Sequence, residues 1–372
     1  MLIVAEIGTS HGGSLEKAKH LIDTAVAAGA DAVKLQWVYA DEILHPETGF
    51  VTLPGGAVRL YDRFKSLEVP PAFFADCLDY AHHKGVQFFC SPFGLRSLQE
   101  LLALQPDAIK IASPELNHLP LLHALADYRK THPISVIISS GVSTLADIET
   151  ALAIIGTDDT TLLHCITCYP APENEYNVRA VQTLARIFGV RTGISDHSLD
   201  PVLVPSLSTA IGAVMIEKHI TLSKATDGLD DPVALEGEQF AHMCYCVHQC
   251  QAMLRHYGDE RGATNIISQL EDQFGTEKIR AVLGDGIKRL APSEQANYGR
   301  TNRSLHFMHA MKAGETITED DIGVLRTEKI LTPGLSPRWL QTVLGTTLTH
   351  DVANGAGVQW EDLLTTNATP AH

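Results

Sequence analysis

"GVRTGISDHSLDP", residues 189–201, begins as an apolar β-run and closes on Ser195, Asp196 and His197. A strand threading a core has no use for three polar side chains at its end unless a site gathers them there. Successive strand residues point to opposite faces, so Ser195 and His197 share one face while Ile194 and Asp196 share the other. The same test holds elsewhere. Glu6 shares a face with Gly8, opposite Ala5 and Ile7, and Lys34 pairs with Gln36, opposite Val33 and Leu35. Lys110 sits between Ile109 and Ile111, while Thr167 and Tyr169 alternate with Ile166 and Cys168. Glu217 and His219 alternate with Ile216, Lys218 and Ile220. Six strands thus carry a polar residue on one face near their C-terminal ends.

These strands belong to a longer alternation over residues 1–257. "LIVAEIG", "DAVKLQ", "VQFFCSPF", "AIKIAS", "SVIISSG", "TLLHCITCYP", "VRTGISDH" and "AVMIEKHI" read as strands, separated by amphipathic helical patterns such as "SLEKAKHLIDTAVAAG". Eight strands alternating with helices over about 250 residues predict a (β/α)8 TIM barrel, with an open doubly wound sheet as the alternative. No G-x-G-x-x-G follows the first strand, which weakens that alternative. In a barrel, the polar faces converge on the mouth at the strands' C-terminal ends, where active sites lie. Ser113 lies three past Lys110 and converges only if the chain bends at Pro114. Residues 37–70, with Pro54, Gly55 and Gly56, are long for a βα connection, a length usual in functional or disordered loops. Residues 258–299 read as a linker with some helix. Residues 300–366 form a small β-rich domain in which "MKAGETITEDDI" (311–322) and "VANGAGVQWEDL" (352–363) are imperfect copies, implying pseudo-twofold symmetry.

The 372 residues carry a net charge of −16, which disfavours nucleic-acid or anionic-membrane partners but leaves room for an anionic ligand in a local cationic pocket. No apolar run reaches membrane-spanning length, and the N-terminus reads as strand rather than signal peptide, so a cytoplasmic protein is expected. Seven cysteines without a secretory leader predict reduced thiols. Cys165 and Cys168 form a C-x-x-C, but on a strand they face opposite ways; Cys244, Cys246 and Cys250 read as helix packing.

His197 and His219 close neighbouring strands about 4.8 Å apart and can ligate one divalent ion, leaving positions open for substrate. Mixed nitrogen and oxygen ligation suits Mn²⁺, with Mg²⁺ or Co²⁺ as the other ions, rather than a closed zinc site. Lys34, Lys110, Ser91, Ser113, Ser139 and Ser195 supply cations and hydroxyls suited to a phosphate or carboxylate.

On these residues the chain resembles the sialic acid synthase family, the N-acetylneuraminate and related nonulosonate synthases. The motifs are "AEIGTSHGGSLEKAKHLIDTAVAAGADAVKLQ", "LYDRFKSLEVPP", "CSPFG", "IKIASPELNHLPLL", "SSGVSTLADIE", "LLHCITCYPAP", "GISDHSLD" and "IEKHITL". The tail from Arg303 looks like that family's antifreeze-like (SAF) domain. The resemblance implies condensation of phosphoenolpyruvate with an N-acylated hexosamine, N-acetylmannosamine or a 2,4-diacetamido sugar, to a nine-carbon 2-keto acid and phosphate. It implies that His197 and His219 bind the metal, and that Lys110, Ser113, Ser91, Ser139 and Ser195 hold phosphoenolpyruvate. Glu6, Lys34, Gln36, Glu115, Tyr169 and Asp230 would handle the sugar and proton transfers, with Glu6, Glu115 and Asp230 as the candidate acids and bases. Thr167 stands on the phosphate side where the family has Asn. Arg326 would reach the N-acyl group in a neighbouring subunit's barrel, implying a domain-swapped homodimer. The chain departs from the family pattern there, in "RTEKILTPG", and at Ser10 before His11. The other readings are a 3-deoxy-sugar acid synthase or aldolase on the same barrel, or a non-catalytic carbohydrate-binding homologue.

Overall fold

Alternation along each strand becomes a closed ring in the computed structural model, which describes residues 1–53, 56–226 and 228–364. Eight parallel strands form it: β1 (Leu2–Gly8), β2 (Ala32–Trp37), β3 (Gln87–Pro92), β4 (Ala108–Ile111), β5 (Ser135–Ser139), β6 (Thr160–Cys165), β7 (Arg191–Asp196) and β8 (Met215–Thr221). The ring closes where β1 lies beside β8, in a register that pairs Ile3 with Ile216 and Glu6 with His219. Closure excludes the open-sheet alternative.

Outward residues, among them Ile3, Ala5, Val33, Leu35, Ile109, Ile111, Ile194 and Ile216, pack with the surrounding helices into one core. Inward residues form layers. Val4, Ala32, Phe89, Ala108, Ile137, Leu163 and Met215 make an apolar floor. Two residues further along six of those strands stand Glu6, Lys34, Ser91, Lys110, Ser139 and Glu217, all buried. Gly193 occupies the floor of β7 because a side chain there would strike the Met215 carbonyl and Leu163. The first helix, α1 (Leu15–Ala28), shows how the connections are punctuated. Ser14 caps it by accepting the Lys17 amide, and Gly29 ends it at φ 95°.

The β2–α connection holds a short helix (Ala40–Ile43), an antiparallel pairing of Phe50–Leu53 with Gly56–Arg59, and a helix at Leu60–Lys65. Pro54 and Gly55 lie outside the described residues, as do residues 365–366 of the expected tail domain. The expected linker is largely helical, at Asp259–Phe274 and Thr276–Leu283. Its Ile266, Leu270, Ile279 and Val282 join the barrel core, so this segment is part of the barrel's outer layer.

The C-terminal part has its own core around Leu305, Phe307, Ile317, Val343 and Val358. Its strands β9 (Arg303–Phe307) and β10 (Ile322–Arg326) pair antiparallel. The two sequence copies fold alike. Met311 and Val352 bridge each other, Gly314 and Gly355 both take positive φ (88° and 78°), and Asp321 and Asp362 each accept the amide of the residue three before.

Candidate functional site

Inward parity places Glu6, Lys34, Lys110 and Glu217 within one buried cluster. Lys34 Nζ lies 2.8 Å from Glu6 Oε2 and 3.4 Å from both Glu217 Oε2 and Ser91 Oγ. Lys110 Nζ donates to Ser139 Oγ at 2.7 Å and lies 3.7 Å from Glu217 Oε1. Ser195 Oγ donates to Glu217 Oε1 at 2.9 Å, and Gln36 Nε2 donates to Glu6 Oε1 at 2.8 Å. Two ammonium groups and two carboxylates balance one another in a dry setting where any one alone would be costly. Burial raises the Glu6 pKa to about 7 against the opposing pull of Lys34. Burial also depresses Lys110 to about 8, opposed by Glu217 and reinforced by Lys34. Glu217 stays anionic: burial raises its pKa, but Lys110 and Lys34 outweigh that and hold it low.

The bend expected at Pro114 is a 3₁₀ turn, Ser113–Glu115. It brings Ser113 Oγ to the Gly141 amide at 3.0 Å, so Ser113 meets the loop that follows Ser139. Thr167 donates its amide to Glu294, and its hydroxyl is buried without a hydrogen-bond partner.

The rings of His197 and His219 stand 5.5 Å apart, and Tyr169 stacks on His197 at 4.2 Å. His197 Nδ1 lies 2.7 Å from the Ile166 carbonyl, an orientation that fixes the ring and turns Nε2 away from the backbone. Burial disfavours a charged His197, but Cys165, the Ile166 carbonyl and Asp196 outweigh it and lift the pKa to about 9, so a cation at Nε2 must displace a proton. Burial and the nearness of His197 and Lys34 hold His219 neutral. Its Nδ1 is 4.0 Å from half-buried Asp230. Among the described residues, no group of three or more His, Cys, Asp or Glu is placed to hold a metal. The two imidazoles fit a two-nitrogen site whose other positions would fall to water or substrate oxygen.

Glu115 is fully buried and is engaged by two arginines of the C-terminal domain. Arg303 Nε sits 2.5 Å from its Oε2, and Arg326 Nη2 and Nε sit 2.5 and 3.1 Å from its Oε1. Burial raises its pKa, but the two guanidiniums outweigh that and hold the carboxyl below its ordinary range. Arg326, expected at a neighbouring subunit's barrel, lies within this chain on the chain's own Glu115.

Several residues went unassigned at the sequence level. Glu217, inward by parity alone, is the carboxylate shared by both lysines. Asp196, the odd member of Ser-Asp-His, forms a buried ion pair with Lys218 at 2.7 Å on the outer face. Ser10 donates to Asp231 Oδ1 at 2.6 Å, and His11 packs on Phe73 with burial pushing its pKa down to about 4. Glu294 accepts the Val142 and Thr167 amides at 2.7 Å each and the Ala291 amide at 3.1 Å, tying residues 291–294 to the loops after β5 and β6. Cys165 faces inward, 3.8 Å from His197 Nδ1, and all seven thiols are free. The carbonyl and amide partners of Glu294 and Arg303 leave no sequence signal.

Comparison with known proteins follows the same division of the chain. The NeuB family matches residues 21–259 and the SAF domain matches residues 302–364. The spore coat polysaccharide biosynthesis protein SpsE of Bacillus subtilis is 32% identical over 98% of this chain and 94% of its own length. Its crystal structure superposes with a TM-score of 0.81 at 30% identity, covering 98% of this chain and 95% of that one. The N,N'-diacetyllegionaminic acid synthase of Legionella pneumophila is 28% identical, covering 97% of this chain and 94% of its own. A pseudaminic acid synthase of Campylobacter jejuni is also 28% identical, covering 97% of this chain and 96% of its own.

Proposed function

This chain belongs to the NeuB family, and from that premise we propose that it condenses phosphoenolpyruvate with an open-chain N-acylated hexosamine. The products are a nine-carbon, sialic-acid-like 2-keto acid and phosphate, and the acceptor is N-acetylmannosamine or a 2,4-diacetamido sugar. The observation that carries this reading is the inward cluster of Lys34, Lys110, Ser91, Ser139 and Ser195 beside His197 and His219. Relatives named as legionaminic and pseudaminic acid synthases support it.

Lys110 with Ser113, Ser139, Ser91 and Ser195 holds the phosphate and carboxylate of phosphoenolpyruvate, a cation and hydroxyls against an anion. Thr167 stands on the phosphate side, and Lys34, Gln36 and Tyr169 line the path of the sugar. A divalent ion, Mn²⁺ or else Mg²⁺ or Co²⁺, held by His197 and His219 would polarise the sugar aldehyde. The C3 carbon of phosphoenolpyruvate forms the new bond to the aldehyde carbon, whose oxygen takes a proton. Water adds to the electron-poor C2, and the carboxylates of Glu6 and Glu217 stabilise the positive charge that precedes it. The C2–O bond then breaks, phosphate leaves, and the keto group forms. Glu115 is already engaged by two arginines, so proton traffic falls to Glu6 and Asp230. We further propose a cytoplasmic enzyme that acts as a homodimer, in which exchanged C-terminal domains would make with the neighbouring barrel the Arg326–Glu115 contact seen here within one chain. No helix among the described residues is long and apolar enough to cross a membrane.

Phosphate release tests the reading. The protein is incubated with phosphoenolpyruvate, Mn²⁺ and N-acetylmannosamine, its 6-phosphate or 2,4-diacetamido-trideoxyhexoses. Release with at least one of these is expected, and its abolition in His197→Ala and His219→Ala. Release only with a tetrose or pentose phosphate, or with no sugar at all, overturns it.

A further inference from the structure

Two arginines of the C-terminal domain end on one barrel carboxylate, and they come from a single rung of one hairpin. Arg303 and Arg326 are cross-strand partners in the β9–β10 pair. Arg303 is held at every side-chain nitrogen. Besides Glu115, its Nη1 donates to the carbonyls of Glu42 and Val324, and its Nη2 donates to the Phe93 carbonyl at 2.6 Å. Its backbone is held as well, since Asn117 accepts the Arg303 amide at 2.9 Å and donates to its carbonyl at 2.8 Å. Arg326 is placed differently. Both of its contacts go to the other oxygen of Glu115, and its guanidinium lies 5.3 Å from the ring of Phe93. Its side chain keeps 11% exposure where that of Arg303 keeps none.

Apolar packing is incomplete at this joint. Beside it runs a cavity of about 700 Å³ between the barrel and the C-terminal domain, lined by Leu119, Pro120, Met308, Val324, Leu325 and Leu340. The barrel holds the hairpin there by polar contacts: those on Glu115, in the turn after β4, are joined by a backbone bridge from Leu44 to Arg326 and by the Thr48 hydroxyl, which donates to the Thr327 carbonyl at 2.9 Å.

We propose that Glu115 is the docking point of the C-terminal domain and that Arg303 is a positioning residue. Arg303 fixes one carboxylate oxygen so that the other holds Arg326 at the β4 side of the mouth. A lysine in its place keeps the charge but cannot make the planar fork. Which substrate feels the loss rests on the functional reading above, in which Arg326 meets the acylated sugar; the docking role does not rest on it.

The test uses the full-length protein. Arg303→Lys is expected to raise KM for the acylated sugar about tenfold or more, the scale of one lost charge-assisted hydrogen bond, and KM for phosphoenolpyruvate by less than about twofold. In an Arg326→Ala background, Arg303→Lys should add little, because both act through the same contact. Equal rises in both KM values, or full additivity of the two substitutions, would overturn the positioning role. Hydrogen exchange supplies a readout that needs no turnover. In Glu115→Gln, the amides of Arg303–Phe307 and Ile322–Arg326 should exchange about tenfold faster while the barrel strands stay unchanged. Unchanged exchange in that hairpin would overturn the docking role. Should the unaltered enzyme release no phosphate with any sugar, the functional reading fails and the exchange result still decides the docking role.

Discussion

The protein buries charge in two ways, at the centre of the barrel mouth and at the joint with the C-terminal domain. At the mouth, Lys34 pairs with Glu6 and shares Glu217 with Lys110 at distances of 2.8 to 3.7 Å, and the hydroxyls of Ser91 and Ser139 accept from the two lysines. At the joint, Glu115 takes two guanidiniums at 2.5 Å each, and Arg303 has each of its nitrogens in a hydrogen bond. Ammonium groups with loose, shared partners can trade them for a substrate anion. A forked guanidinium with backbone carbonyls on every side cannot. The difference separates a cluster built to exchange ligands from one built to hold a position.

Breaking each cluster should therefore give opposite phenotypes. Lys110→Met is expected to produce the largest effect, a fall in phosphate release on the order of 10³-fold, the scale of removing a key electrostatic contact. Its thermal midpoint should move by less than about 4 °C. A variant that unfolds early yet turns over normally when folded would erase the contrast. Arg303→Met comes next and should show the reverse emphasis. Removing Arg303 leaves Glu115 Oε2 without its cation and the carbonyls of Glu42, Val324 and Phe93 without their donor, a cost of roughly 3–5 kcal/mol that calorimetry should find in the C-terminal domain and its joint.

Changing pH separates the clusters more gently. Lys110, depressed to about 8, is a cation below that pH and neutral above it. Affinity for phosphoenolpyruvate should thus fall as pH rises from 7 through 9. Glu115 has a folded pKa below its unfolded one, so its stabilisation is present above the unfolded value and is lost only as pH falls through the folded one. Hairpin protection measured by hydrogen exchange should accordingly stay level between pH 6 and 9 while phosphoenolpyruvate affinity changes. A parallel decline in both would mean that the two clusters are one electrostatic unit.

Much of the mouth was legible because strand alternation is local. Glu6, Lys34, Lys110, Ser195, His197, Glu217 and His219 each stand two residues from an inward neighbour, and a period of two needs no knowledge of the rest of the chain. What escaped depends on distant backbone. Glu294 is anchored by amides of Val142 and Thr167, and Arg303 by carbonyls of Glu42 and Phe93, groups that every residue carries. Residues 259–283 read in sequence as a linker with some helix because their polar surface masks a narrow apolar stripe. Asp196 and Lys218 follow the parity rule yet pair on the outer face, where a polar residue was not expected.

Direct binding of phosphoenolpyruvate at pH 7, measured by titration calorimetry on the intact protein and on Lys110→Met, tests the central claim that the inward lysine–serine cluster is an anion site. The account predicts saturable binding by the intact protein and its loss in the variant with the fold retained. Equal binding by both, or none by the intact protein in the presence of Mn²⁺, would contradict it.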